Sequence, residues 1–396
     1  MTLAGRGQSA RLALGTASAL GLARFAYGLL VPAMRTELHW NLAQAGALTT
    51  ANGLGYLLGA LAAAPVARRL GVPVMFRLGM ILTAAALAAT ALTSGNYLAL
   101  LLTRAAAGLS GALVFIAGGV IASRAAATAR SAAPITIYFS GAGLGIAFSG
   151  LVIPPLLGQH PSRWPLAWGV LATGAGLATI VSWTAAHGGP DTHGSPDTHG
   201  GHHGRATAST IDLRGVARLW QVALAYLLFA AGYIAYITFL SAYLAAHHAS
   251  VGQVALTWAL LGLAAIAAPA LWSRPINTWP DGRALALALA LLGAAAAVAL
   301  VSAAPAVATG SAIGYGATFL SVPAAITALI RAAIPPHDWT GALAAFTVVF
   351  AAGQMAGPYL AGGLADHYGT GATLAWTAAL CIAGAALSTV IRSGGR

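Results

Sequence analysis

Twelve apolar runs follow one another along this chain, separated by short clusters of proline, glycine and charge. A helix rises 1.5 Å per residue, so about 20 apolar residues cross the roughly 30 Å hydrocarbon core of a bilayer. The runs are expected near 12–34, 42–66, 73–93, 97–123, 132–157 and 166–186, then 219–245, 250–272, 284–303, 306–330, 340–364 and 371–391. Lipid offers no water to bond the backbone, so each run must satisfy its own amides and carbonyls as a helix. The expected fold class is an all-α membrane protein with twelve transmembrane helices.

One long polar interruption, His187 to Arg218, divides the runs six and six. It gives an N-terminal six-helix bundle over 1–186, a linker over 187–218 and a C-terminal six-helix bundle over 219–396. The linker contains a tandem repeat, Pro190-Asp191-Thr192-His193-Gly194 and Pro196-Asp197-Thr198-His199-Gly200. Polar residues, proline and glycine at this density cannot bury a core, so a mobile cytoplasmic tether is expected. Five histidines there are a conceivable metal set, but a tether holds no ligand geometry. No metal site and no cofactor is expected.

Composition sharpens this picture. Hydrophobic residues are 59% of the chain and charged residues only 7%, far below the roughly 25% that a soluble surface uses. The apolar faces must therefore meet lipid or one another. All 19 basic residues are arginine. With the N-terminus inside, 15 of them fall in cytoplasmic segments and only Arg35 and Arg163 outside, leaving two within the membrane. That asymmetry follows the positive-inside rule and supports an even number of spans with both termini cytoplasmic. It also accounts for the basic balance without a nucleic-acid partner. The first run is read as a span and not as a signal peptide, because it is long and contains Arg24.

The two sets of six echo each other. Helix 5 carries Gly141-Ala142-Gly143-Leu144-Gly145 and then Pro154-Pro155; helix 11 carries Gly353-Gln354-Met355-Ala356-Gly357-Pro358 and then Gly362-Gly363. Helix 4 reads Leu101-Leu102-Thr103-Arg104-Ala105-Ala106-Ala107-Gly108, and helix 1 reads Gly21-Leu22-Ala23-Arg24-Phe25-Ala26-Tyr27 before Pro32. Helix 7 has Gly232-Tyr233 and Thr238-Phe239-Leu240. These stretches resemble the major facilitator superfamily, and helix 1 is similar to a bacterial subgroup of largely uncharacterised members. The resemblance implies the major facilitator fold and a secondary transporter that works as a monomer in the bacterial inner membrane. It also implies that helices 1, 4, 7 and 10 line a central cavity. One stretch departs from the family: Arg68 stands in Ala67-Arg68-Arg69-Leu70-Gly71 where an aspartate is usual.

Candidate chemistry rests on polar groups at depth. An ionised side chain at mid-membrane costs about 2.5–3.5 kcal/mol on insertion scales, so Arg24 and Arg104 ask for a reason. Arg24 is expected near the midplane and to meet substrate; Arg104 has the alternative of bracing helix ends. Tyr27, one turn from Arg24, could share its ligand or simply help seal the helix bundle. Tyr226, Tyr233, Tyr236 and Tyr243 form one face of helix 7, with Tyr233 and Tyr236 as candidates for a mixed polar and apolar solute and Tyr243 suited to an interfacial belt. Asn52, Tyr138, Tyr315, Thr318 and Gln354 are further polar groups inside spans, able to touch substrate or to bond across helices. All seven acids and all eleven histidines fall in loops or at helix ends.

A buried cation without a counter-ion favours an anionic ligand. The expected partner is a small organic anion such as a carboxylate, moved alone, by exchange against a counter-anion or with a proton carried on it. The alternative is a proton-coupled efflux antiporter for lipophilic or cationic compounds, a group with which Arg104 is associated by resemblance. Nothing at membrane depth resembles catalytic machinery: no paired carboxylates, no His-Glu-x-x-His, no serine–histidine set. The glycines of helices 2 and 5, Gly55, Gly59, Gly141, Gly143 and Gly145, are expected to serve close helix packing.

Overall fold

The computed structural model describes residues 3–93, 95–158, 160–186, 219–279, 281–335 and 338–391. The linker 187–218, with its tandem repeat and five histidines, lies outside the described residues. Twelve helices are long and apolar enough to cross a membrane: α1 Gly5–Leu38, α2 Leu42–Leu70, α3 Val72–Ala91, α4 Tyr97–Ala129, α5 Ala133–Leu157 and α6 Pro161–Ser182, followed by α7 Trp220–Ala246, α8 Val251–Thr278, α9 Arg283–Val301, α10 Pro305–Ala333, α11 Gly341–Tyr368 and α12 Gly371–Thr389. Among the described residues there is no strand. Twelve crossings bring residues 3 and 391 to one end of the bundle, called here the near face; the opposite end is the far face.

Helix starts on the far face are capped by short polar side chains, which replace hydrogen bonds missing from a first turn. Asn41 and Gln44 form a reciprocal capping box at α2, with bonds of 2.7 and 3.0 Å. Asn96 caps α4 at 2.9 Å and Ser250 caps α8 at 3.2 Å. Gly71 and Gly369, at φ of 81° and 84°, end α2 and α11 in a conformation that favours glycine.

Two spans are interrupted. In α1 the backbone is α-helical over Leu3–Thr16, π-helical over Ala17–Phe25 and α-helical again over Tyr27–Leu38. In α10 the helix Pro305–Phe319 breaks at Leu320 and Ser321 and resumes over Val322–Ala333, where Pro323 cannot continue the previous ladder.

Helices in lipid gain little from hiding apolar surface, so small residues that let backbones approach decide where they pack. A methyl group added at Gly21 of α1 would lie 2.4 Å from the Gly145 Cα of α5, and one at Gly55 of α2 would lie 1.8 Å from the Ala105 carbonyl of α4. Gly143 packs in the same way against Gly262 of α8. The glycines of α2 and α5 thus serve close packing, as their spacing suggested. On the far face, Asp366 at the end of α11 accepts the amides of Leu42 and Ala43 at the start of α2, at 2.7 and 3.0 Å. Thr50 of α2 donates to the Met355 carbonyl of α11 at 2.6 Å, deeper along the same seam.

Candidate functional site

The π-helical segment of α1 places Arg24 inside the bundle with 7% of its surface exposed. Its Nη2 donates to the Tyr233 hydroxyl of α7 at 3.2 Å, and that hydroxyl donates onward to Oε1 of Gln354 on α11 at 2.9 Å. The guanidinium carbon lies 5.3 Å from the ring centre of Tyr56 on α2 and 5.9 Å from that of Phe25. Its Nε has no partner. The acids among the described residues, Glu37, Asp281, Asp338 and Asp366, lie at or between helix ends, so none neutralises the charge.

Arg104 is buried more completely, at 1% exposure, and is held differently. Its Nη2 donates to the Ala23 carbonyl in the π-helical segment of α1. The guanidinium lies 4.8 Å from the Trp168 ring centre and 5.5 Å from that of Tyr27. Those two rings stack on each other at 17°. These contacts brace α1, α4 and α6, while the Nε and Nη1 of Arg104 have no hydrogen-bond partner among the described residues.

Tyr27 therefore belongs with Arg104, correcting the expectation that it shares a face and a ligand with Arg24. The change from π to α register between positions 24 and 27 breaks the one-turn spacing on which that expectation rested. Its hydroxyl donates instead to the Ala45 carbonyl at 2.8 Å. Asn52 is also structural, donating through Nδ2 to the Arg104 carbonyl at 3.1 Å. The Tyr138 hydroxyl is shared between the carbonyls of Val114 and Phe115, at 3.1 and 3.0 Å, and ties α5 to α4.

On α7 the tyrosine face divides. Tyr233 joins Arg24, whereas Tyr236 bonds Ser311 of α10 at 2.7 Å and stacks on Tyr315, ring centres 3.8 Å apart. Tyr315 donates to the Tyr233 carbonyl at 2.8 Å, so the Tyr236–Tyr315 pair forms a layer that positions Tyr233 from behind. Thr318 bonds the Gly314 carbonyl of its own helix at 2.9 Å. Tyr243, close to the far-face end of α7, is buried and donates to the Ala299 carbonyl of α9 at 2.7 Å. Of the residues singled out from the sequence, Arg24, Tyr233 and Gln354 converge on one point between α1, α7 and α11.

Several aromatic neighbours were not singled out. Phe229 stacks on Tyr233, and Phe350 of α11 stacks on Tyr226, both at 4.7 Å between centres. Phe229 occupies the helical position between Tyr226 and Tyr233, at steps of three and four, so that periodicity marked it in advance. Tyr56 leads on to Phe115 of α4 at 6.3 Å, and Phe115 to Phe139 of α5 at 5.4 Å. Phe115 and Phe139 line a wide-mouthed cavity of about 550 Å³ that follows α4 through Gly119 and Ser123 to Ala127, near the near-face end of that helix. Tyr56 thus links the Arg24 cluster, by ring contacts, to the aromatic wall of that cavity.

Comparisons with known proteins agree with this architecture. Two solved structures of the nucleoside transporter NupG are similar in fold: a point mutant at a TM-score of 0.71 and 14% identity, covering 97% of this chain and 99% of that one, and NupG itself at 0.68 and 13%, covering 98% and 96%. A bacterial homologue of the human lysosomal transporter Spinster, in an inward-facing and unoccupied conformation, is similar at 0.66 and 16%, covering 98% and 96%. No curated protein gives a significant sequence match. Residues 16–392 match the family described as "Uncharacterised MFS-type transporter YbfB". With this match over nearly its whole length and with twelve spans of major facilitator architecture, the chain belongs to that family of MFS-type transporters.

Proposed function

We propose that this transporter moves a small organic anion, a carboxylate, across the bacterial inner membrane by alternating access, with Arg24 as the anion's principal contact. The observation that carries the reading is the setting of that guanidinium: deeply buried, without an acidic partner, with Nε unpaired as in Arg104, but bonded to a hydroxyl from the second set of six helices. Nε–H and one Nη2–H leave a guanidinium side by side and form the fork that takes both oxygens of a carboxylate. Here one prong meets only a neutral hydroxyl and the other meets nothing. An arriving carboxylate supplies the missing charge and both acceptors.

Tyr233 and Gln354 lie on helices from the second set of six, and Arg24 lies on one from the first. A ligand seated among them touches both sets, as alternating access of two bundles, 1–186 and 219–396, requires. The arginine distribution supports a cytoplasmic near face. On that reading the far face is the outer one, where Asp366 joins α11 to the start of α2. Coupling through a proton carried on the substrate, or exchange against a second anion, fits a site whose described residues include no acid or histidine. An efflux antiporter for lipophilic cations would find aromatic rings here but no acid among the described residues, and the Arg24 charge would oppose its substrate.

Thermal stabilisation of the purified protein by candidate solutes tests the reading. An anion at 100 times its dissociation constant should add about 2.7 kcal/mol to the stability of the native chain, and Arg24→Ala should abolish that gain. Stabilisation by lipophilic cations, indifferent to the substitution, would overturn it.

A further inference from the structure

Granted the anion at Arg24, we infer that its carboxylate is carried on a planar aromatic ring. The inference rests on that reading of Arg24 and adds what the rest of the site recognises. Tyr226, Phe229 and Tyr233 of α7 and Phe350 of α11 form an array of nearly parallel rings, with angles of 4° between Tyr226 and Phe229, 13° between Phe229 and Tyr233, and 18° between Tyr226 and Phe350. Phe350 closes one side of the array and is only half-buried. On the first-half side Tyr56, Phe115 and Phe139 are half-buried as well, each within ring-contact distance of the next. Fully buried rings such as Phe229 need no explanation beyond packing. A ring such as Tyr56, part-exposed inside a span and set against a buried guanidinium, does.

Arg24, Tyr233 and Gln354 meet at one end of these rings, with Arg24 against Tyr56 and Tyr233 against Phe229. Away from that cluster, Ile116, Gly119 and Val120 line the cavity beside Phe115 and Phe139, with Ser123 and Arg124 farther toward the near face. A short aliphatic carboxylate would satisfy the guanidinium and leave these faces wet. A planar ring behind the carboxylate would extend the parallel array and cover them, and offset or edge contacts between rings add affinity beyond the area they bury. A neutral aromatic would leave Nε unpaired, and an aromatic cation would meet the positive charge head on. The chemistry that answers every group at once is a flat ring bearing one carboxylate.

The test compares three probes of similar size on the purified full-length protein, by equilibrium binding and thermal shift. Benzoate has both features, cyclohexanecarboxylate keeps the charge on a puckered saturated ring, and benzamide keeps the flat ring without the charge. Benzoate should bind about tenfold tighter than cyclohexanecarboxylate. Phe350→Leu, which keeps bulk but removes the ring face, should bring that ratio close to one; Phe115→Leu serves the same purpose should the first variant fold poorly. Equal affinity for the two carboxylates, or a preference that survives both leucine variants, would overturn the aromatic class while leaving the anion reading intact. Benzamide binding as well as benzoate would overturn the anion reading itself, and failure of all three to bind would overturn both.

Discussion

Arg24 and Arg104 bear the same charge inside the same bundle, yet their surroundings assign them different work. Arg104 lies against Trp168 and Tyr27 and donates to a backbone carbonyl. A planar guanidinium stacks on the rings while donating in its own plane, and a lysine ammonium has no plane to stack. Arg104→Lys is therefore expected to lower stability by about 1–2 kcal/mol, the scale of a desolvated cation–π contact, readable as a fall in melting temperature. Arg24 is held by one long bond to a neutral hydroxyl, so Arg24→Leu should leave the unliganded protein as stable as before, or more so, while removing anion-induced stabilisation. A fall in stability equal to that of Arg104→Lys would make Arg24 a brace as well. Arg24 was legible in the sequence because a lone charge in an apolar run has few explanations. Its aromatic surroundings were not, because Tyr56, Phe115 and Phe350 occur in spans where rings usually do no more than pack. Which faces stay uncovered is a property of neighbouring helices, not of local sequence.

Helices here are positioned by what they lack. Gly21 and Gly145 bring the π-helical segment of α1 against α5 at backbone distance. Gly21→Ala is expected to push the two apart and cost about 1–3 kcal/mol, as overpacking does. Gly176→Ala in α6, where a methyl group would meet nothing within 4 Å, is the matched control and should be neutral. Chemical unfolding of the pair reads the difference; equal stabilities would show that α1 and α5 have slack. The number of spans and most of their limits were readable, because lipid forces each apolar run to be a helix. The π-helical segment was hidden. No proline or glycine pair marks it as proline marks the break in α10, and its register answers to contacts with α4 and α5 that form only in the assembled bundle.

Across the whole molecule, α2 and α11 meet on the far face through a carboxylate set against the first turn of a helix. Such an arrangement is worth about 1 kcal/mol, a several-fold bias between open and closed forms. With the single cysteine replaced (Cys381→Ala), paired spin labels at Ala47 and Gly363 should report one short distance in the otherwise native protein. Asp366→Ala should add a longer population, and an unchanged distribution would show that the seam closes without it. Asp366 was visible in the sequence only as an acid at a helix end; its partner is 324 positions earlier, and only the fold brings them together. The consequence reaches kinetics. An empty carrier weighted toward one side of the membrane returns slowly through the step that breaks this contact, whereas a loaded one crosses with its ligand joining the bundles. Swapping one solute molecule for another then outpaces net accumulation, and the half-saturating concentrations differ on the two sides while the ratio of maximal rate to half-saturation stays equal in both directions. A single carboxylate, far from the solute, would thereby set which side of the membrane the carrier waits on.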